Sequence, residues 1–404
     1  MPVNEILGGS MEASLAPSTA ELLQSPILSD VRHPYPMFAE RRRASPVFPA
    51  EVSGRPIYLV LRYDDVTSVL RDPEAFSSKV MRQVMGPVMG RTILEMDGKE
   101  HNRHRALINP VFVPKALGGD MPKVVRSIAD QLIDGFVRDG RADLVDQFSR
   151  TFPLRVIAHI IGLPIDDYDL FQRWALDIIG MGHDPAKAYA ASQALVGYLE
   201  PVVALRKKEP RDDLMSKLVH AEVDGHTLTD EEVYSFLRLL VPAGAETTYR
   251  LIGNTLAALL ADPAALEEVR ADRKEVDWAI EESLRWEAPV CFAAREATAD
   301  TELGGVAIAA KSHVMVAISA ANRDERKYPD PARFDLHRRA DDHVAFGGGK
   351  HFCVGSNLAR LEARIGLEAI LDRLKNVRLS VDPPLGIFGL AFRSPRRVPV
   401  VFDA

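Results

Sequence analysis

The sequence predicts a mainly α-helical fold with a minor β region, on three observations. From 121 to 280, apolar residues recur at i, i+3, i+4 and i+7 with hardly a break. Within that stretch one segment, from Thr229 to Asp262-Pro263, is unusually long, and the acids Glu231 and Glu232 behind Thr229 mark it as a capped helix start. After 286 the pattern changes to short extended runs cut by Gly, Pro and Asn. Helices and strands are therefore segregated, which argues against an alternating βαβ fold.

The elements follow in order. "MPVNEILGGSMEASLAPSTAELLQ" has no basic leader with a continuous apolar run, and no stretch nears the ~20 residues that span a bilayer. It reads as a loose arm over 1–25. Helical pattern then mixes with short strands such as "PIYLVLR" at 56–62. "VVRSIADQLIDGFVRDG" (124–140), "LVDQFSRTFPLRVIAHIIGLP" (144–164) and "AYAASQALVGYLEPVVALRKK" (188–208) are amphipathic helices. "ELGGVAIAAKSHVMVAIS" (302–319) and "PVVF" (399–402) are strands, and "SNLARLEARIGLEAILDRL" (356–374) returns to a helix. No Gly/Ser linker or repeat divides the chain, so a single domain over 1–404 is expected.

Composition limits the function. A chain of 404 residues with 47% hydrophobic and 26% charged residues can bury a large core. A net charge of -7 and a pI near 5.9 argue against a nucleic-acid partner, which calls for a basic surface. Two cysteines cannot staple such a chain or supply the four thiolates of an iron–sulfur cluster. The expectation is a cytoplasmic protein in a reducing compartment, with no membrane partner.

One of those cysteines, Cys353, follows Gly347, Gly348 and Gly349 in "HVAFGGGKHFCVGSNLARLEAR" and stands just before a helix. Glycines let the backbone turn sharply, and a helix start favours a thiolate over the ordinary pKa of about 8.5. A phosphate loop fails because His351, not Ser or Thr, follows Gly349-Lys350. Three readings stay open: a buried structural cysteine, a zinc site with His343 and His351 that lacks the usual spacings, and axial ligation of haem iron.

"FGGGKHFCVG" resembles the haem-binding loop of the cytochromes P-450, Phe-x-x-Gly-x-His/Arg-x-Cys-x-Gly, at Phe346, Gly349, His351, Cys353 and Gly355. The resemblance implies haem b (protoporphyrin IX iron) between the long central helix and the Cys-loop helix. Cys353 is then the fifth iron ligand, with Phe346 near the sulfur and His351 near a propionate. His101 and Arg105 in "HNRHR", spaced i and i+4, match the family's propionate-binding His-x-x-x-Arg, and Arg295 matches a further propionate partner. Glu282 and Arg285 in "EESLR", with Arg338, match a buried structural triad. Ala243, Gly244, Ala245, Glu246 and Thr247 resemble the oxygen-activation motif, in which Glu246 and Thr247 relay protons. Pro242, one step earlier, departs from the pattern and is expected to kink the helix.

What the resemblance implies is a monooxygenase that uses dioxygen and two external electrons to hydroxylate an apolar small molecule. Ferredoxin or flavodoxin, with an NAD(P)H-dependent reductase, supplies the electrons. Met81, Val84, Met85, Val241, Ala243, Val290, Phe292 and Phe392 are expected to line the substrate pocket, and Lys350, Arg360 and Arg364 to form a basic docking patch. The alternatives are a peroxygenase fed by hydrogen peroxide, and a non-catalytic haem-binding sensor.

Overall fold

The computed structural model describes residues 32–52, 55–163, 167–182, 184–223, 225–382 and 385–403, so the arm expected over 1–25 lies outside the described residues. The helices that frame the site are α1 (Gly98–Phe112), α2 (Phe152–Ile161), α3 (Asp230–Ala261), α4 (Glu275–Trp286) and α5 (Ser356–Arg373). The long segment read from the sequence is α3. It opens with a full capping box: the Glu232 backbone N–H donates to the Thr229 hydroxyl, and the Thr229 backbone N–H donates to the Glu232 carboxylate at 2.8 Å. Asp262 ends it and caps the next helix, accepting from the backbone of Ala264 and Ala265.

A helix apolar on all sides must be central, and α3 is buried from Leu237 to Pro242 and again from Thr248 to Leu260. It packs on α2, α4 and α5. The helix continues uninterrupted through Pro242, which is itself buried. Stability from tertiary packing offsets the single backbone bond a proline removes.

Gly244 explains how α2 approaches. A Cβ there would lie 2.8 Å from Cγ1 and 3.0 Å from Cβ of Ile157 on α2. These are root atoms of a branched side chain and cannot swing aside. Gly244→Ala is therefore expected to destabilise the protein: overpacking costs about 1–3 kcal/mol, more than the roughly 1 kcal/mol alanine gains over glycine in a helix. Gly253→Ala, whose Cβ would meet Pro395 at an ordinary 3.4 Å, is the control. Chemical denaturation of both variants checks the pair; equal midpoints would remove the packing account.

The β region is small. Strands β1 (Val47–Val52), β2 (Arg55–Val60), β3 (Phe76–Ser77), β4 (Phe292–Ala297) and β5 (His313–Ala317) form one sheet in the order β1-β2-β5-β4-β3. Only β2 and β5 run parallel. The sheet has its own apolar cluster, including Val60, Val314 and Val316, separate from the large helical core. Among the described residues no helix is long and apolar enough to cross a membrane.

Candidate active site

The cysteine loop is shaped by backbone contacts. Val344 N–H donates to the Asn322 side-chain oxygen at 2.9 Å and Cys353 N–H donates to the Phe346 carbonyl at 2.9 Å, closing residues 346 to 353 into a loop. Gly349 sits at φ 61°, and a Cβ there would lie 2.5 Å from the Leu70 carbonyl oxygen and 3.0 Å from the Arg71 Cα. Backbone cannot yield, so only glycine fits. The Arg360 guanidinium stacks 4.5 Å above the Phe346 ring.

Cys353 is accessible at the mouth of α5, whereas Cys291 is buried. Burial pushes the Cys291 thiol up to about 12, which excludes it as a thiolate at neutral pH. The helix start is expected to favour a Cys353 thiolate, and the N–H groups of Gly355 and Ser356 act in that direction. Burial raises this thiol too, and the N–H groups of Gly355 and Ser356, with Arg105 and Arg360, only partly offset it. A coordinated thiol is deprotonated outright, so iron bound at this sulfur would hold it as the anion.

In the middle of α3 the burial pattern breaks. Ala243 is exposed and Gly244 and Thr247 are half-buried, although Val241, Pro242, Ala245 and Glu246 around them are buried. An exposed alanine in a core helix fronts an open space. Ala243 and Thr247 share a face at i and i+4, and the Thr247 hydroxyl donates to the Ala243 carbonyl at 2.9 Å. Glu246 lies on another face, where Arg250 donates to its carboxylate at 3.2 Å. Burial raises the Glu246 pKa against the pull of Arg250. The acid and alcohol, adjacent in sequence, thus point in different directions. Arg250 is a partner the sequence reading missed, although its i+4 spacing from Glu246 was visible.

A polar rim gathers near the cysteine loop. The His101 ring lies 4.3 Å from that of His351, whose Nε2 is 3.7 Å from Asp97. Arg105 donates to the carbonyl of Phe352, next to Cys353, at 2.7 Å. His101 is buried with no hydrogen-bond partner on either ring nitrogen. Burial, and after it the neighbouring His351, drop its pKa to about 4, so it stands neutral. Arg295, buried on β4, donates only to the adjacent Ala294 carbonyl at 2.8 Å, and among the described residues no carboxylate lies within ion-pair distance. A buried guanidinium and a buried imidazole without anionic partners are costly unless an anion joins them. The carboxylates of a haem propionate pair fit that need, and the accessible thiol fits the iron.

Other expectations sort differently. The zinc reading fails: His343 Nε2 bonds the Glu281 carboxylate at 3.1 Å, and among the described residues no three metal-ligating side chains cluster. The Glu282, Arg285 and Arg338 side chains do meet: Arg285 reaches both Glu282 oxygens at 2.7 and 2.8 Å, and Arg338 donates to Glu282 at 3.2 Å. Of the pocket residues, Met81, Val84, Met85, Val290 and Phe292 are half-buried, Ala243 is open, and Phe392 stacks under Arg250 at 5.4 Å. Val241 is a correction: it is buried in the helical core, because α3 turns that position away from the open face. The basic patch is thinner than expected, with Arg360 bonded to Glu281 and Arg364 to Asp277. Lys350 stays exposed.

Comparison with known proteins bears on all of this. The Cytochrome P450 family model matches residues 154–385. Cytochrome P450 monooxygenase PikC from Streptomyces venezuelae is 37% identical over 361 residues, 87% of this chain and 86% of that protein. The structure of CYP109Q5 from Chondromyces apiculatus aligns with a TM-score of 0.84 at 36% identity, covering 92% of this chain and 96% of that one. CYP109E1 from Bacillus megaterium, in complex with testosterone, aligns with a TM-score of 0.82 at 32% identity over 92% and 100% of the two chains. The family's cofactor is haem with an axial cysteine thiolate, and its members are monooxygenases. The accessible thiol of the glycine-rich loop and the open stretch of the core helix are thus set in a family context: this chain belongs to the cytochrome P450 family and is a haem-thiolate monooxygenase.

Proposed function

We propose that this protein uses dioxygen and two externally supplied electrons to hydroxylate an apolar small molecule, with Cys353 as the axial thiolate. The observation that carries the reading is an accessible thiol at the mouth of α5, a helix that packs on α3, whose Ala243 and Thr247 positions are open. When bound, haem supplies the oxygen-activating iron.

The chain's own residues do the rest. Cys353 would hold the iron and donate electron density through its sulfur. His101, Arg105, Arg295 and His351 would hold the two propionates and Phe346 would shield the sulfur, while Gly349 keeps the loop close to Leu70. Ala243 and Gly244 leave room beside α3. Thr247 and Glu246 move protons to the reacting centre. Met81, Val84, Met85, Val290, Phe292 and Phe392 supply an apolar wall, which favours a substrate held by shape. The testosterone complex of CYP109E1 supports an apolar ligand of that kind. With two cysteines in all, the chain has no cluster of its own to carry electrons, which supports a ferredoxin or flavodoxin with an NAD(P)H-dependent reductase. Two free thiols support a reducing, cytoplasmic setting.

The test is turnover of an apolar compound selected for its low-to-high-spin shift, with ferredoxin, reductase and NADPH under air. Product is expected with dioxygen; product from hydrogen peroxide alone, and none from dioxygen, would overturn the reading. In Thr247→Ala, product per NADPH is expected to fall several-fold and peroxide to rise. Unchanged coupling would remove the proton-relay role of that hydroxyl.

A further inference from the structure

We propose that Tyr35 is a positioning residue for substrate specificity: through Glu287 and Arg393, its hydroxyl holds from behind the paired segments that carry Val290 and Phe392. The inference rests on the apolar wall assigned above to Val290, Phe292 and Phe392, and adds what fixes the shape of that wall.

The two segments run antiparallel. Cys291 N–H donates to the Ala391 carbonyl at 2.9 Å, Arg393 N–H donates to the Pro289 carbonyl at 3.0 Å, and Val290 pairs directly with Phe392. Successive side chains on extended backbone point to opposite sides, so Val290 and Phe392 share one face while Cys291 and Arg393 share the other. Burial agrees: Val290 and Phe392 are half-buried, whereas Cys291 and Arg393 are buried. On the rear face the Arg393 guanidinium donates to Glu287 at 2.7 Å and to the carbonyls of Gly389 and Arg32 at 2.5 and 2.9 Å. Gly389 stands at φ 102°, where a Cβ would collide with the Phe392 carbonyl, so the turn before Phe392 admits only glycine.

The helix Tyr35–Ala44 supplies the anchor. The Tyr35 hydroxyl donates at 2.6 Å to Oε2 of Glu287, the same oxygen that accepts from Arg393, while Arg323 donates to Oε1 at 2.9 Å. Burial, and after it the Glu287 charge, push the Tyr35 hydroxyl up, so it stays a donor. Burial works to raise the Glu287 carboxyl too, but Arg393 and Arg323 hold it below the ordinary range, so it stays an acceptor. Bonds in one buried network strengthen one another, so the hydroxyl helps to fix the oxygen on which Arg393 rests. The same helix reaches the wall a second time. The Phe38 ring meets Phe292 edge-on at 6.0 Å, and Phe38 shares a small apolar cluster with Leu390, against which Val84 and Phe292 pack. One short helix thus backs both segments of the wall.

The test uses Tyr35→Phe, Phe392→Leu and the double variant, each haem-loaded. Phenylalanine removes only the hydroxyl and keeps the ring that stacks 3.6 Å from the Arg323 guanidinium. Two apolar compounds of unlike shape are chosen by their low-to-high-spin shifts. The ratio of their dissociation constants is read beside the constant for imidazole, which needs only the iron. Tyr35→Phe should change the ratio several-fold and leave imidazole binding unmoved. In the double variant the change should fall short of the product of the two single changes, because residues in one network do not act independently; a full product would overturn the link. Phe38→Leu, which acts through Phe292, should change the ratio as well and serves where Tyr35→Phe accumulates poorly. A changed ratio in Phe392→Leu with none in Tyr35→Phe, even at a lower denaturation midpoint, overturns the role of Tyr35 alone and leaves its bond merely structural. An unchanged ratio in Phe392→Leu overturns the wall itself, and the role of Tyr35 with it.

Discussion

Cys353→Ala is expected to abolish the red-shifted Soret band of the reduced, carbon monoxide-bound protein, while Cys291→Ala keeps it. The contrast follows from where the two thiols stand. Cys291 is enclosed, its Sγ 3.9 Å from the Ala288 carbonyl, and burial keeps it a thiol at any pH near neutral. Cys353 is accessible, and three features point it one way: the N–H groups of Gly355 and Ser356 from behind, the Phe346 carbonyl on its own N–H, and the glycine turn at Gly349 that keeps the loop against Leu70. Removing the sulfur leaves no second soft anion near the same space. Any haem retained by Cys353→Ala, held by the rim of His101, Arg105, Arg295 and His351, should show the spectrum of a nitrogen- or oxygen-ligated iron. Persistence of the thiolate-type band in Cys353→Ala, or its loss in Cys291→Ala, would assign the ligand to the wrong cysteine. Haem content measured beside the spectrum separates loss of the ligand from loss of the cofactor.

Some of this was legible in the sequence, and the reason differs from residue to residue. Helix α3 announced itself because its apolar residues run round the whole cylinder and its capping box is purely local: Thr229 and Glu232 need no other part of the chain. The glycine pattern before Cys353 was equally visible, but not what makes Gly349 obligatory, since the Leu70 backbone comes from a distant helix. The same holds for Gly244. Its lack of a side chain reads as a groove for oxygen, whereas the nearest obstacle is Ile157 on α2. The thiolate expectation was readable only in part: the helix-start effect of the Gly355 and Ser356 N–H groups is local, while desolvation depends on everything packed around Cys353. Val241 was misplaced because its neighbour Ala243 is open, and a helix turns two residues apart to nearly opposite sides. Glu246 and Thr247 were read as a unit because they are adjacent. Adjacent positions on a helix do not face each other, and the i+4 partner of Glu246 is Arg250.

Replacing Arg285 should be the most destabilising single change outside the cysteine loop. Arg285 is fully buried and uses all five of its N–H groups. Two reach the Glu282 carboxylate at 2.8 and 2.7 Å, and three reach the carbonyls of Asn322, Pro331 and Arg333 at 3.1, 2.9 and 3.0 Å. One guanidinium on α4 thereby ties down the irregular segment that leads into the cysteine loop. The tie continues: Asn322, whose carbonyl Arg285 holds, accepts from Val344 N–H at 2.9 Å, and Val344 opens the loop that ends at Cys353. Arg285→Ala leaves the buried Glu282 carboxylate with Arg338 and the Asp335 N–H, takes the Arg285 donor from the Asn322 and Pro331 carbonyls, and leaves the Arg333 carbonyl only the Arg338 contact at 3.4 Å. Breaking a buried pair from one side costs about 3–5 kcal/mol, a large share of the roughly 5–15 kcal/mol that holds a domain folded. Lysine should rescue little, because a point charge with three donors cannot serve both carboxylate oxygens and three carbonyls. Arg338→Ala should cost less, about 1.5–3 kcal/mol, because its other bonds, to the Pro329, Asp330 and Arg333 carbonyls, are exposed. Denaturation midpoints and haem per chain, measured together, check the ranking. A fall in stability with full haem loading in Arg285→Ala would show that α4 supports the fold without shaping the cysteine loop, and would break the link traced through Asn322.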